Sequence, residues 1–282
     1  MTSQVTQSET TLSGRWTRAE RRSPLAGRNW LCALLLLLLL PACQATTDLA
    51  SERHAKAVKA LIDLGAEVRD VEDEVSHDRG TYVFLFAEHF THDGKVQNEV
   101  LTLIREILVL FLDVSDTPLR DEALPELARM PNLQVLNVSR TRMTDRGLKL
   151  VAASRDIRLL KLNRTRITDD GLACLAEMPS LRLIYLGDTT LTDAALQQLA
   201  KLPQLEAIKL SRLPITDDGL KSLIEMPRLR FLGLDGTSVT DAGLTHLELL
   251  PKLTYLDVQE TSVSQKAVKE FRKRHRQCHL EY

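Results

Sequence analysis

Leu229-Arg230-Phe231-Leu232-Gly233-Leu234 decides the fold, because the same apolar frame returns every 24 residues from Val109 onward. Its first position is filled by Val109, Leu133, Ile157, Leu181, Leu205, Leu229 and Leu253, with no slip in spacing. After each frame comes a second apolar run ending near a proline, as at Met178-Pro179. A fixed period of this length marks units that cannot bury an apolar side alone and stack on their neighbours instead. The rhythm predicts an α/β solenoid of about seven coils over residues 109–265, one strand and one helical segment per coil. The strands would form a parallel sheet on the concave side of a horseshoe.

Residues 157–179 show how one coil works. Strand side chains alternate, so Leu160 and Leu162 point into the core while Leu159, Lys161 and Asn163 face out. Ile167 is the next inward residue. Thr168 or Asp169 is expected to cap a short helix, with carboxylates near its positive end. Leu172 and Leu175, three apart, turn that helix's apolar side inward, and Pro179 stops it. Threonine recurs just before the turn at Thr117, Thr141, Thr165, Thr189, Thr237 and Thr261, and its hydroxyl is expected to bond backbone of the neighbouring turn. Leu213-Pro214 breaks that column.

The unit, with Ile167-Thr168-Asp169-x-Gly171-Leu172, resembles the ribonuclease-inhibitor-like and cysteine-containing leucine-rich repeats. It is most similar to the threonine-bearing form of exported bacterial repeat proteins. The resemblance covers residues 109–265 and implies a horseshoe scaffold. It points to no single ligand, because such repeats serve many unrelated binding roles.

The outward strand positions fall into columns. One is apolar throughout: Phe111, Val135, Leu159, Leu183, Ala207, Phe231 and Tyr255. The next reads Asp113, Asn137, Lys161, Tyr185, Lys209, Gly233 and Asp257. Arg158, Arg182 and Arg230 stand beside them, with Arg140, Arg164 and Arg212 at the strand exits. The middle coils are therefore expected to carry a basic field around an apolar stripe, with acids at both ends in Asp113, Asp116, Asp257 and Glu260. Apolar surface rimmed by charge, with arginine and aromatic anchors, has the composition of a protein-binding patch. Its expected members are Phe111, Arg158, Leu159, Lys161, Arg182, Tyr185, Lys209, Arg212, Phe231 and Tyr255.

Residues 1–43 read as an export address. Arg15, Arg18, Arg21, Arg22 and Arg28 precede Trp30 to Leu40, which holds seven consecutive leucines. About eleven apolar residues span only ~17 Å as a helix, too short for a ~30 Å hydrocarbon layer. Leu40-Pro41-Ala42-Cys43 resembles the lipobox of bacterial lipoproteins, which implies acylation at Cys43 and tethering to the envelope membrane. Pro41 departs from the small residue usual there. Cleavage after Ala45 and retention as an anchor are the alternatives.

Residues 44–108 break the frame and hold 13 acidic against 7 basic residues. Ala55, Val58, Leu61 and Ile62 suggest an amphipathic helix ending at Gly65, and Tyr82 to Phe86 an aromatic buried strand. An α+β N-terminal cap is expected, since a solenoid end exposes core. Residues 266–282 are expected to form a basic C-terminal cap helix. His89-x-x-His92, near His77 and Asp78, has ligand-like spacing, but polar turn residues explain it better and no metal is expected. Cys174 and Cys278 lie about four coils apart, roughly 20 Å at about 4.8 Å per strand, so both should be free thiols.

A net charge of −1 gives no general attraction to nucleic acid or membrane. No nucleophile with a base and no phosphate loop stands out, and the repeat-turn glycines have a structural explanation. The sequence therefore implies no cofactor and a non-catalytic, exported protein-interaction scaffold. Binding of cell-wall polysaccharide as a structural envelope component, or inhibition of an exported enzyme, is the alternative.

Overall fold

The computed structural model describes residues 51–72 and 79–282. The export segment, Cys43, His77 and Asp78 lie outside the described residues. Helix α1 covers residues 51–63 and leads into β1 (Glu67–Glu72) and β2 (Arg79–Phe84). The repeat strands follow at 24-residue intervals: β3 (Val109–Asp113), β4 (Val135–Asn137), β5 (Leu159–Lys161), β6 (Leu183–Tyr185), β7 (Ala207–Lys209), β8 (Phe231–Gly233) and β9 (Tyr255–Asp257). A tenth strand, β10 (His279–Glu281), closes the series. All ten form one sheet in sequence order. β1 and β2 pair antiparallel, and every later neighbour is parallel.

Register follows the period: Leu159 pairs with Leu183, and Leu183 with Ala207, so each frame position becomes a straight column across the sheet. Inside, Leu160, Leu162, Ile167, Leu172 and Leu175 are all at most 1% exposed. The opposite layer is helical: α2 (Asn98–Arg105), α3 (Leu124–Ala128), α4 (Asp145–Val151), a 3-10 turn at Asp170–Glu177, α5 (Asp193–Leu199), α6 (Asp217–Leu220), α7 (Asp241–Leu247) and α8 (Gln265–Arg274). One apolar core runs the length of the solenoid between sheet and helices.

Strands are only three residues long in most coils because the chain must turn, yet coil-to-coil hydrogen bonding continues past the strand. The N–H groups of Arg140, Arg164, Asp188 and Arg212 donate to Asn163, Gly187, Ser211 and Asp235 carbonyls at 2.7–2.9 Å. To do so these residues take left-handed backbone, φ +53 to +56°, and Asp116 and Glu260 share the conformation. Such geometry costs a non-glycine residue roughly 1–2 kcal/mol and is held by the surrounding bonds.

Three sequence readings need correction. The threonine column satisfies its own coil, not the neighbouring one: Thr141 and Thr165 hydroxyls donate to Val138 and Leu162 carbonyls, each three residues back, at 2.7 Å. The helix-start aspartates do not cap their own helix. Thr144, Thr192 and Thr240 are the caps, accepting from the N–H two residues on at 3.3 Å. The carboxylates instead reach the next coil. The tail, finally, is more than a helix end: α8 stops at Arg274, and residues 279–281 return as β10 because Cys278 and Leu280 complete the core beside Val268 and Phe271.

Cys174 and Cys278 are unbridged. Burial pushes both thiols up to about 11, so almost no thiolate exists at neutral pH. Both should resist a thiol-reactive disulfide reagent in the native protein and react promptly in denaturant. Fast native modification of Cys278 would show that β10 does not stay docked.

Candidate binding face

The concave sheet carries the candidate residues at different depths. Leu159, Lys161, Leu183, Tyr185 and Lys209 are half-buried, and Ala207 is buried. Lys161 Nζ sits 5.3 Å from the centre of the Tyr185 ring, a cation–π contact. Together with Lys209, these residues floor a shallow groove of about 300 Å³ whose rim is formed by Arg140, Arg164, Asp188 and Arg212. A second cleft, about 370 Å³, is lined by Arg158, Ser180, Arg182 and Glu206.

The strand-exit arginines are not a bare basic field. Arg140 pairs with Asp116 at 3.0 Å, Arg164 reaches Asp188 at 3.1 Å, and Arg212 grips Asp188 through two bonds of 2.7 Å. Arg182 is anchored too: its guanidinium donates to the Pro179 and Leu181 carbonyls at 2.9 and 3.1 Å and lies 3.9 Å from Glu206. Asp188 stands in the same 24-residue column as Arg164 and Arg212. Writing out that column, Asp116, Arg140, Arg164, Asp188, Arg212, Gly236 and Glu260, would have revealed the pairing.

Apart from Tyr185, the aromatic members belong to the two ends. Phe111 packs 4.7 Å from Tyr82 and 5.8 Å from Phe84, under the cap. Phe231 and Tyr255 stack face to face at 4.5 Å, with His279 another 5.6 Å beyond. Burial, then Glu281, drives the Tyr255 phenol far above its usual range. Asp257 is likewise raised, by burial and by Asp235 and Glu281. His89 is buried, and its Nδ1 accepts the Phe86 N–H at 2.9 Å. Among the described residues no three His, Cys, Asp or Glu side chains gather as a metal site.

Residues 129–152 and 153–176 match the Leucine Rich repeat family model. The coils are leucine-rich repeats. No curated protein matches the chain. Among solved structures, an internalin C2 from Listeria monocytogenes is 23% identical, with TM-score 0.47 over 62% of this chain and 71% of that one. An internalin (inlF) from the same organism is 19% identical, with TM-score 0.42 over 66% of this chain and 63%, under two thirds, of that one. Among the described residues, no helix of the leucine-rich repeat chain is long and apolar enough to cross a membrane.

Electrostatics of the repeat face give a pH test. Arg212 and then Arg164 hold the Asp188 carboxyl down to about 2, against roughly 3.9 in an unfolded chain. A depressed carboxylate stabilises the fold above the unfolded value and loses that contribution as pH falls through the folded one. The leucine-rich repeat domain should therefore weaken between about pH 4 and 2, Asp188 contributing at most about 2 kcal/mol of the loss. Urea titrations at pH 5 and 2.5 should show a smaller drop for Asp188→Asn than for wild type. Equal drops would remove Asp188 from the account.

Proposed function

We propose that this chain is a non-catalytic protein-interaction scaffold that takes its partner on the concave sheet. One observation carries the reading: a half-buried apolar column, including Leu159 and Leu183, lies directly beside the cationic groove floored by Lys161 and Lys209. Apolar contact supplies desolvated area, and the charges beside it supply register and selectivity. Such a pairing suits a protein surface.

Export and tethering belong to the same proposal. Acylation at Cys43 would leave seven residues before α1, a span of at most about 25 Å. The cap would then ride close to the membrane, with the repeat sheet extending away from it. Binding to cell-wall polysaccharide fits less well, because sugars need open aromatic faces. Here Phe231 and Tyr255 cover one another, and Lys161 lies over Tyr185.

A photo-crosslinking side chain placed at Leu183 should yield a discrete protein adduct in the source cell. The same group at Glu177, exposed on the helical side, should not. Identical adducts from both positions, or an adduct of carbohydrate alone, would defeat the scaffold reading.

A further inference from the structure

The groove's charge balance says more about its occupant. Its lining holds five cations, Arg140, Lys161, Arg164, Lys209 and Arg212, against two carboxylates, Asp116 and Asp188. Those two carboxylates are already engaged by the rim arginines, so the lining as a whole keeps a positive surplus. The adjoining cleft adds Arg158 and Arg182 against Glu206. Toward the C-terminal end the sign reverses: burial first, and then the neighbouring Asp235 and Glu281, disfavour ionisation of Asp257 against the pull of Lys209. At the N-terminal end Asp113 holds the Asn137 amide at 2.7 Å. An anion is thus favoured over the middle coils and opposed at both ends.

From this complementarity we infer that the partner docks through an acidic segment, with apolar side chains interleaved among its carboxylates. The inference rests on the scaffold reading above. Lys161 and Lys209 occupy one register column two strands apart, with Tyr185 between them. At about 4.8 Å per strand their backbones stand roughly 10 Å apart. An extended polyproline-type chain rises about 3.1 Å per residue, so carboxylates three residues apart project on one side at roughly 9 Å. The side chains between them meet the Leu159–Leu183 column. A uniformly polar polyanion leaves that column without a counterpart, which favours a peptide over an acidic polysaccharide.

The test uses the full chain and defined probes in low salt: a fluorescent peptide with glutamate at every third position and leucine and proline between, its glutamine counterpart, and polygalacturonate. The glutamate peptide should bind at least tenfold more tightly than the glutamine peptide. Lys161→Glu/Lys209→Glu should lose at least tenfold in affinity with an unchanged melting temperature, and Lys161→Gln/Lys209→Gln should lose less. Arg182 is left intact, because its backbone bonds tie it to folding. Equal binding of both peptides, indifference to charge reversal, or tighter binding of polygalacturonate would each overturn the inference. A protein adduct at Leu183 without affinity for the glutamate peptide would sink this inference and leave the scaffold standing. Loss of the adduct itself would sink the scaffold.

Discussion

Asp121→Ala is expected to lower the free energy of unfolding by about 2–3 kcal/mol, the range for losing hydrogen bonds to a charged, buried acceptor. Asp121 is 8% exposed, and its carboxylate takes both the N–H and the hydroxyl of Thr144, at 2.9 and 2.5 Å. Alanine would leave the Thr144 donors facing protein without that acceptor. The contact recurs in every later coil: Asp145 holds Thr168, Asp169 holds Thr192, Asp193 holds Thr216, Asp217 holds Thr240, and Asp241 holds Ser264. Each is a two-point clamp from one coil to the next. The motif's glycine makes room for it, since a Cβ at Gly147 would stand 2.3 Å from Asp121 Oδ1, and one at Gly219 2.2 Å from Asp193 Oδ1. Asp241, by contrast, is exposed, so water replaces the lost bonds and Asp241→Ala should cost clearly less. Urea denaturation of the two variants checks the ranking. Equal costs would mean that the clamp's worth does not depend on burial.

That clamp also marks where sequence reading stopped. The core columns were legible because a strict 24-residue period with alternating strand residues leaves one inward solution, and Leu160, Ile184, Ile208 and Leu232 are all fully buried. A polar side chain has more than one reachable partner, and the choice depends on turn geometry that spacing does not encode. Asp169 reads equally as a helix cap or as a bridge to Thr192, and only the stacked backbone selects the bridge. Thr165 lies within reach of two turns, and the left-handed residue before it, Arg164, directs its hydroxyl back to Leu162. Residue type alone marks the arginine columns as cationic, whereas Asp116 and Asp188 pair with them across coils. β10 was hidden for another reason: three residues cannot display a period, and Leu280 is its only buried member. On the concave face, then, the apolar stripe is legible within one coil, and the charge balance becomes legible only when the 24-residue column is followed across coils.

Ile184→Ala should be the most damaging single truncation, costing about 2–5 kcal/mol through lost burial and the cavity left behind. Ile184 is fully buried at the centre of β6, registered against Leu160 on one side and Ile208 on the other. In a solenoid each coil is stabilised by its two neighbours, so a defect in the middle weakens coupling in both directions. Leu280→Ala removes a comparable side chain from β10, which among the described residues pairs only with β9, and should loosen that end alone. Hydrogen exchange separates the cases. In Ile184→Ala the Leu162 and Leu186 amides, which donate to Tyr185 and Lys209 carbonyls at 2.8 and 2.9 Å, should lose protection together. In Leu280→Ala the loss should centre on the Val258 amide, which donates to the Glu281 carbonyl at 2.9 Å. The concave groove lies over β4 to β7, so the central defect should also abolish capture of the proposed partner, while the terminal one spares it. Exchange that spreads equally through both variants would show the coils folding as one indivisible unit, and the groove would then owe its order to the whole solenoid, not to its nearest neighbours.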